Sequence, residues 1–183
     1  TLLIGGGMAF TFLRAQGNRV GRSLVEEDRI SFAEGLLAEA ASRNIEVLLP
    51  EDIVAGSSPD SNGPVEIVPS KGIPESLMGL DIGPKTAEAF SAAITRASTV
   101  LWNGPMGVFE NPLFAEGTRK VAQSLEEATK AGCQTVVGGG DTAAAVNSMG
   151  FADKVTHVST GGGASLEFFE GLPLPGIQPF LLD

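Results

Sequence analysis

One pattern occurs four times in this chain: a short apolar run, a turn of glycine and small polar residues, and then a stretch with helical periodicity. The apolar runs occupy residues 2–4, 100–102, 135–137 and 157–158, and a further run at 45–49 ends at a proline. Continuous apolar runs are typical of strands buried on both faces, as in parallel sheets. We therefore predict a parallel sheet built from these runs.

The stretches between the runs carry the period of amphipathic helices. Apolar positions align on one face near residues 27–42, again after Gly83, and in a third segment further along. The third helix is predicted to open at Asn111, a good N-cap followed by Pro112, and to close before Gly132. Strands that alternate with helices predict an α/β fold, here a Rossmann-like, three-layer α/β/α arrangement with a mostly parallel sheet and helices on both faces.

Residues 53–83 break this alternation. They contain a stretch rich in Ser, Pro, Asp, Asn and Gly at 57–64, followed by the short β-prone run at 65–68. We predict a surface excursion that forms a small β-hairpin added to the sheet. No repeat of fixed length and no interdomain linker is evident in the sequence, so residues 1–183 are predicted to form a single domain.

The composition excludes several classes of protein. The hydrophobic share of 43% excludes disorder as the main state, and the formal net charge of -10 argues against nucleic acid or a membrane surface as partner, because both are polyanions. With one cysteine, Cys133, and one histidine, His157, the sequence excludes an internal disulfide, multi-cysteine metal sites and His-pair zinc sites. We expect a cytoplasmic protein with neither nucleic acid nor membrane as a partner.

The glycine-rich turns indicate a binding site. In a parallel sheet the carboxyl ends of the strands share one edge, so the four turns are predicted to converge there. Each turn begins a helix and offers free backbone N–H groups at the positive end of the helix dipole. Glycine also lets the backbone approach a ligand closely. The pattern predicts a site for a phosphorylated ligand; the alternative is that the glycines only close tight turns.

Asp141 and Thr142 directly follow the glycine turn at 138–140, at a predicted helix start. Asp141 is well placed to hold a cation that bridges phosphates, and the Thr142 hydroxyl could bind phosphate. The alternative for both residues is an ordinary helix cap.

Comparison with known phosphate-binding motifs limits the classes of phosphorylated ligand that the site could bind. The P-loop pattern is absent, whereas residues 138–143 satisfy the looser G-x-G-x-x-A form of the dinucleotide fingerprint. That match is weak because Ser159 and Thr160 stand at the end of the next strand, where an acidic ribose-binding residue is expected. A dinucleotide-binding oxidoreductase domain is therefore the weaker alternative.

Five longer blocks between residue 2 and about residue 176 are more specific. They are LLIGGGMAFTFLRAQG, MGLDIGPKT, TVLWNGPMGVFENPLFAEGT, VVGGGDTAAAV, and DKVTHVSTGGGASLEFFEG followed by LPG. Together they resemble the C-terminal, nucleotide-binding half of phosphoglycerate kinase. The resemblance implies a glycolytic phosphotransferase that reversibly passes a phosphoryl group between 1,3-bisphosphoglycerate and Mg-ADP, with Mg²⁺ and ATP or ADP bound to this half.

The resemblance also implies roles for individual residues. Gly6 and Gly79 correspond to walls of the adenine pocket, and Glu110 to the acceptor for the ribose hydroxyls. Asp141 corresponds to the Mg²⁺ ligand. The full set of implied nucleotide-binding residues is Gly6, Gly79, Asn103, Gly104, Pro105, Val108, Glu110, Gly139, Gly140, Asp141 and Thr142. The catalytic positions that it implies, at a helix N-terminus facing the transferring phosphoryl group, are Gly161, Gly162 and Gly163.

Parts of the family pattern have no counterpart here. The N-terminal lobe, which binds 3-phosphoglycerate or 1,3-bisphosphoglycerate and supplies a catalytic arginine, is missing, as is a glycine-rich segment with two phosphate-binding lysines. We therefore expect a fragment of a longer polypeptide, one nucleotide-binding domain over residues 1–183 that is incomplete at its N-terminal side. The isolated chain is expected to be inactive and poorly stable alone, or to associate with the missing piece or another copy. A non-catalytic nucleotide-binding fragment is the alternative function.

Overall fold

The computed structural model describes residues 1–159, 161–174, 176 and 178–180. Its strands are β1 (Leu2–Leu3), β2 (Arg19–Val20), β3 (Val47–Leu48), β4 (Asp52–Gly56), β5 (Glu66–Pro69), β6 (Gly72–Ile73), β7 (Met78–Ile82), β8 (Thr99–Asn103), β9 (Gln134–Gly138) and β10 (His157–Ser159). Its α-helices are α1 (Gly6–Ala15), α2 (Ile30–Ser42), α3 (Pro84–Thr95), α4 (Glu116–Lys130), α5 (Gly140–Ser148) and α6 (Gly162–Phe169). Short 3₁₀ helices span Glu27–Arg29, Pro112–Phe114, Ala152–Lys154 and Gln178–Phe180.

The strands predicted from apolar runs pair in parallel. β8, β9 and β10 form one sheet with β9 in the middle, and β1 pairs with β3 in a second sheet. A third parallel pair joins β2 to β6. The predicted α/β class with parallel strands is thereby confirmed, although the strands are distributed over several small sheets.

The predicted hairpin within residues 53–83 is present, but its surroundings differ from the prediction. β4 pairs antiparallel with β5, as a hairpin does, and also antiparallel with β7. Both β4 and β7 are largely buried, with Ile53 1% and Leu80 6% exposed, so the surface location predicted for this segment is wrong for these two strands. Ile53 packs with Phe10 and Leu13 of α1 in a core cluster that the local sequence does not reveal.

The third predicted helix starts later than the sequence indicates. The Asn111 side chain accepts a 3.1 Å hydrogen bond from the Leu113 amide and thus caps the 3₁₀ helix Pro112–Phe114, whereas α4 begins at Glu116. An N-cap residue followed by proline fits the start of a 3₁₀ helix as well as that of an α-helix. The local sequence therefore does not show which of the two helix types begins at Asn111. The predicted end before Gly132 is confirmed, because α4 ends at Lys130.

The largest core cluster lies where α3 and α4 pack on β8 and β9. Its large members include Phe90 of α3, Leu125 of α4 and Trp102 of β8, each at most 5% exposed. Burying a side chain of this size contributes about 1.5–3 kcal/mol. This packing fixes the carboxyl ends of β8 and β9, where the glycine-rich turns begin. None of the helices among the described residues is long and apolar enough to cross a membrane.

Candidate functional site

The four glycine-rich turns converge, as predicted. Asn103, Gly138 and Ser159 stand at one register level across β8, β9 and β10, so three of the turns begin side by side. The turn after β1 contacts the turn after β8: a Cβ added at Gly6 would lie 2.7 Å from the Pro105 carbonyl oxygen. Gly6 also has a φ of +60°, a conformation that side-chain-bearing residues rarely adopt.

A cavity of about 1060 Å³ opens beside this edge. It is largely apolar. One end, called the upper end below, lies among the turns at the carboxyl ends of the strands, and from there the cavity extends between β1 and β8. The predicted nucleotide-binding residues that line the cavity are Gly6, Gly79, Asn103, Gly104, Pro105 and Val108. The structure therefore brings together residues from three distant segments of the chain.

The turn after β8 is tied to the turn after β9. The Gly104 amide donates a 2.7 Å hydrogen bond to the hydroxyl of Thr142, which is only 1% exposed, and the Trp102 indole N–H donates a 2.7 Å bond to the Gly104 carbonyl. Gly104 has a φ of +107° and Gly139 a φ of +90°. A Cβ at Gly139 would lie 2.5 Å from Asn103 Oδ1, so conformation and space both require glycine there.

Two further amides hold the remainder of the loop at residues 104–108. The Met106 amide donates a 3.0 Å bond to the hydroxyl of Thr118 on α4, and the Val108 amide donates a 2.9 Å bond to the Leu80 carbonyl on β7. The loop is thus fixed to α5, α4 and β7 through alternate residues. A loop held in this way needs little rearrangement to receive a ligand, which favours binding.

A buried carboxylate lies beneath the same loop. Asp81 on β7 is 3% exposed; its carboxylate accepts a 2.6 Å bond from the Gly117 amide and a 2.9 Å bond from the Ile82 amide. Burial raises the pKa of Asp81 to about 7, against the lowering effect of the two amides, and the charge of Glu116 raises it further. The sequence analysis missed Asp81; its only signal was an acidic residue inside the apolar run at 78–82.

The predicted phosphate-binding positions lie at two neighbouring helix starts. Gly139 precedes α5, which begins at Gly140, and α6 begins at Gly162 after the adjacent strand β10. The Gly161 amide donates a 3.3 Å bond to the Ser159 hydroxyl. These turns do not line the cavity. They follow β9 and β10, which lie beside β8 in the sheet, and the turn after β8 does line the cavity.

Asp141 is exposed in the first turn of α5, where the N-cap residue is Gly139. Within the described residues, no hydrogen bond or ion pair involves its carboxylate, so Asp141 does not act as the helix cap. No group of three or more His, Cys, Asp or Glu residues that could hold a metal ion occurs within those residues. A lone carboxylate fits Mg²⁺ brought by a nucleotide, because Mg²⁺ is commonly held by one or two carboxylates plus phosphates.

The predicted ribose-binding residue Glu110 is exposed and lies outside the cavity lining.

Two exposed apolar side chains that the sequence analysis missed, Met8 (66% exposed) and Leu24 (69% exposed), line the cavity. A leucine within the mostly polar segment 21–29 was the signal that could have identified Leu24.

The comparisons with known proteins identify the family. The family model described as phosphoglycerate kinase matches residues 1–172. The chain belongs to the phosphoglycerate kinase family. It is 55% identical over 177 residues to phosphoglycerate kinase of Prosthecochloris aestuarii, and 52% identical over 178 residues to cytosolic phosphoglycerate kinase 3 of Arabidopsis thaliana. These matches cover 97% and 96% of this chain but 45% and 44% of the relatives, so the chain spans less than half of their length.

Solved structures of the same family agree with the fold. Phosphoglycerate kinase from Coxiella burnetii matches with a TM-score of 0.91 at 37% identity, over 97% of this chain and 45% of that chain. The enzyme from Pyrococcus horikoshii matches with a TM-score of 0.81 at 33% identity, over 96% of this chain and 44% of that chain. The resemblance to phosphoglycerate kinase and the Rossmann-like α/β fold are thus confirmed. The roles of individual site residues stay predictions.

Proposed function

We propose that this chain is the ATP/ADP-binding part of a phosphoglycerate kinase, a phosphotransferase that moves a phosphoryl group reversibly between 1,3-bisphosphoglycerate and Mg-ADP. The observation that carries the proposal is the cavity end lined by Gly6, Gly79 and the loop at 104–108, next to the start of α5. Phosphoglycerate would be bound by a part of the relatives that this chain does not span. The isolated chain is therefore expected to bind nucleotide without transferring phosphate.

The apolar end of the cavity suits a nucleobase. Leu24, Met8 and Val108 provide apolar surface, and the backbone at Gly6 and Gly79 forms part of the cavity wall. Stacking a planar base against such walls excludes water and orients the sugar toward the loop at 104–108. The exposed Glu110 could accept hydrogen bonds from the ribose hydroxyls once nucleotide is bound.

The phosphates would lie toward the starts of α5 and α6. α5 begins at Gly140 and α6 at Gly162, and the positive end of each helix dipole stabilises a nearby anion by about 0.3–1 kcal/mol. Asp141 would hold Mg²⁺, which when bound neutralises charge on the phosphate oxygens. The net charge of -10 repels a nucleotide only weakly at a distance, since the Debye length is ~8 Å at physiological salt. Positioning and charge neutralisation are what phosphoryl transfer requires of a protein.

Calorimetric titration of the chain with Mg-ADP tests this function, with NADH as the control ligand. We expect saturable binding of Mg-ADP and none of NADH. Binding of NADH instead would favour the oxidoreductase alternative. No binding of either ligand to a folded chain would refute the proposed nucleotide site.

The role of Asp141 is tested separately with Asp141→Asn and the matched control Asp153→Asn, an exposed carboxylate in another turn. We expect Asp141→Asn to weaken Mg-ADP binding about tenfold, ~1.4 kcal/mol, with a smaller effect on ADP in EDTA. Equal losses for the two ligand forms would remove Asp141 from the metal site.

We also propose a cytoplasmic location, with neither nucleic acid nor membrane as a partner. The acidic net charge supports this proposal, as does the cytosolic location in the name of the Arabidopsis thaliana relative. Fractionation of the source cells followed by immunoblotting would test it.

A further inference from the structure

The loop after β4 reaches the upper end of the cavity. Its residues 57–61, called the strap below, begin beside β7, because Gly56 at the end of β4 is the register partner of the first residue of β7. Pro59, in the middle of the strap, lines the cavity together with Leu24 and Val108. The strap therefore contributes part of the wall of the candidate nucleotide site.

Packing contributes little to the position of the strap. Ser57 and Asp60 are exposed, and Ser58, Pro59 and Ser61 are only half-buried. Four of these five residues are polar, so the strap has no large apolar side chain to anchor in the core. Its position depends instead on hydrogen bonds from other parts of the chain.

Arg22 holds the first residue of the strap. Its Nη2 atom donates a 2.5 Å hydrogen bond to the Ser57 carbonyl and a 3.0 Å bond to the Ser76 carbonyl. The guanidinium is planar and carries two hydrogens on this nitrogen, so one side chain can join two backbone segments. Arg22 thus connects the strap to the turn before β7, and it stands two residues before Leu24, which lines the cavity.

The backbone around Arg22 is itself fixed to neighbouring segments. The Arg22 amide donates a 2.8 Å bond to the Leu77 carbonyl, and the Gly79 amide of β7 donates a 2.9 Å bond to the Ser23 hydroxyl. Gly21 has a φ of +56°, and a Cβ there would overlap the Leu77 carbonyl oxygen. The Arg22 side chain therefore reaches the strap from a fixed position.

Asn111 holds the middle and the end of the strap. Its Nδ2 atom donates a 2.9 Å bond to the Pro59 carbonyl and a 3.0 Å bond to the Ser61 carbonyl. Its Oδ1 atom accepts the bond from the Leu113 amide, so both ends of the side-chain amide are engaged. Asn111 directly follows Glu110, the predicted ribose-binding residue.

Two side chains thus hold three carbonyl groups of the strap, those of the alternate residues 57, 59 and 61. With these carbonyls bonded to Arg22 and Asn111, Pro59 is what the strap contributes to the cavity lining. A proline ring offers an apolar surface against which a nucleobase can pack. The strap is therefore suited to contact the base and not the phosphates.

We propose that Arg22 and Asn111 are positioning residues, which hold the strap at the upper end of the cavity so that Pro59 and Leu24 enclose the nucleobase. This inference rests on the proposed nucleotide binding and adds the residues that set the affinity for the nucleoside part of the ligand. The phosphates would lie beside the starts of α5 and α6, which do not line the cavity. A loosened strap should therefore weaken the contact with the base and spare the contact with the phosphates.

Calorimetric titration of Asn111 variants tests the proposal with two ligands, Mg-ADP and Mg-pyrophosphate, of which the second lacks a nucleoside. Asn111→Asp keeps an oxygen that can accept the Leu113 amide but loses both Nδ2 hydrogens, and Asn111→Ser does the same without adding charge. We expect both variants to bind Mg-ADP about fivefold more weakly, because binding must then order the strap, and to bind Mg-pyrophosphate within about twofold of the unsubstituted chain. Asn62→Asp, at an exposed position next to the strap, adds the same charge and is the matched control.

Arg22 variants test the other end of the strap. Arg22→Met keeps the length of the side chain and loses its donors, whereas Arg22→Lys keeps the charge and can donate to at least one of the two carbonyls. We expect Arg22→Met to weaken Mg-ADP binding about fivefold and Arg22→Lys to retain most of the affinity. Arg19→Met, on the exposed surface of β2, removes the same charge and is the matched control.

Amide hydrogen exchange at Ser61 and Gly63 gives a readout that needs no nucleotide. The Ser61 amide donates a 3.1 Å bond to the Ser58 carbonyl, and the Gly63 amide donates a 3.0 Å bond to the Ser61 hydroxyl, so both amides report on the order of the strap. We expect them to exchange at least about tenfold faster in Arg22→Met and Asn111→Ser than in the unsubstituted chain and the controls.

Three results would overturn the proposal in a chain that binds Mg-ADP. They are an equal loss of affinity for the two ligands, unchanged affinity for Mg-ADP in variants whose strap amides exchange faster, and unchanged exchange at those amides. A folded, unsubstituted chain that does not bind Mg-ADP would instead refute the proposed function, and the positioning role with it.

Discussion

The Thr142 hydroxyl, buried in the first turn of α5, accepts a 2.7 Å hydrogen bond from the Gly104 amide in the loop after β8. Two glycine-rich turns that are far apart in the chain are thereby joined through one oxygen atom. A hydroxyl that accepts one bond still has a proton to donate. Thr142 therefore fixes the loop, and the phosphate contact that the sequence analysis gives it, with a helix cap as the alternative, stays a prediction.

Replacing Thr142 with valine is expected to destabilise the fold by about 1–3 kcal/mol, because the Gly104 amide loses its acceptor. It should also weaken Mg-ADP binding, since the loop at 104–108 loses one of its attachments. Thr142→Ser keeps the hydroxyl and should restore most of both properties. Urea unfolding and calorimetric titration measure the two effects; equal behaviour of the valine and serine variants would contradict the role of the hydroxyl.

Asp81 makes the stability of the fold dependent on pH. Its pKa is raised from 3.8 in the unfolded chain to about 7 in the fold, so the folded state retains a proton that the unfolded state loses. This contribution to the free energy of unfolding is complete below pH 4 and is lost as the pH rises to about 7. Asp81→Asn, which titrates no proton, should flatten that decline by roughly 4 kcal/mol. Urea unfolding of the unsubstituted chain and of Asp81→Asn at several pH values measures this difference. Parallel pH profiles of the free energy of unfolding would show that the pKa of Asp81 is not raised by folding.

Gly79 is expected to tolerate no side chain. A Cβ there would overlap the Phe10 ring and lie 2.9 Å from Ile53 Cγ2, both in the buried core. Gly79→Ala should therefore cost about 1–3 kcal/mol of unfolding free energy. Gly35→Ala is the matched control: Gly35 lies within α2 with nothing inside 4 Å of a Cβ, so alanine should stabilise the fold by about 0.5–1 kcal/mol. Denaturant midpoints that shift in the same direction for both variants would contradict this prediction.

The start of α3 depends on a buried pair of residues. The Asp52 carboxylate accepts bonds from the Thr86 amide (2.8 Å) and the Thr86 hydroxyl (2.7 Å). Thr86→Val removes a hydrogen bond to a buried carboxylate and should cost about 1.5–3 kcal/mol. Thr95→Val, on the exposed end of the same helix, should change stability by at most about 0.5 kcal/mol. Thermal or urea unfolding measures the loss of stability in both variants. A similar loss in Thr86→Val and Thr95→Val would mean that the buried pair of Asp52 and Thr86 contributes little to the free energy of unfolding.

Local pattern was sufficient where one segment determines its own structure. The run at 135–137 became β9, and the stripe that includes Phe90 and Ile94 became the buried face of α3. Apolar periodicity decides such elements because each must place its own apolar side on the core. The convergence of the glycine turns followed as well, since parallel strands present their carboxyl ends together.

Long-range packing decided the features that local pattern missed. The segment 53–83 is polar at its loop, yet β4 and β7 within it are buried because α1 covers them with Phe10. Asp81 resembles an ordinary strand acid in the sequence, and only the approach of Gly117 from α4 makes it a buried acceptor.

The sequence by itself therefore determined the family, the α/β class and the glycine-rich edge, because these depend on residue type and spacing along the chain. Only the tertiary structure decided which of those glycines share a cavity, how the loop at 104–108 is held, and that β1 and β8 leave a cleft between them. The reason is physical: burial, the pKa of Asp81 and the pairing of strand edges are set by groups that are distant in sequence and adjacent in space.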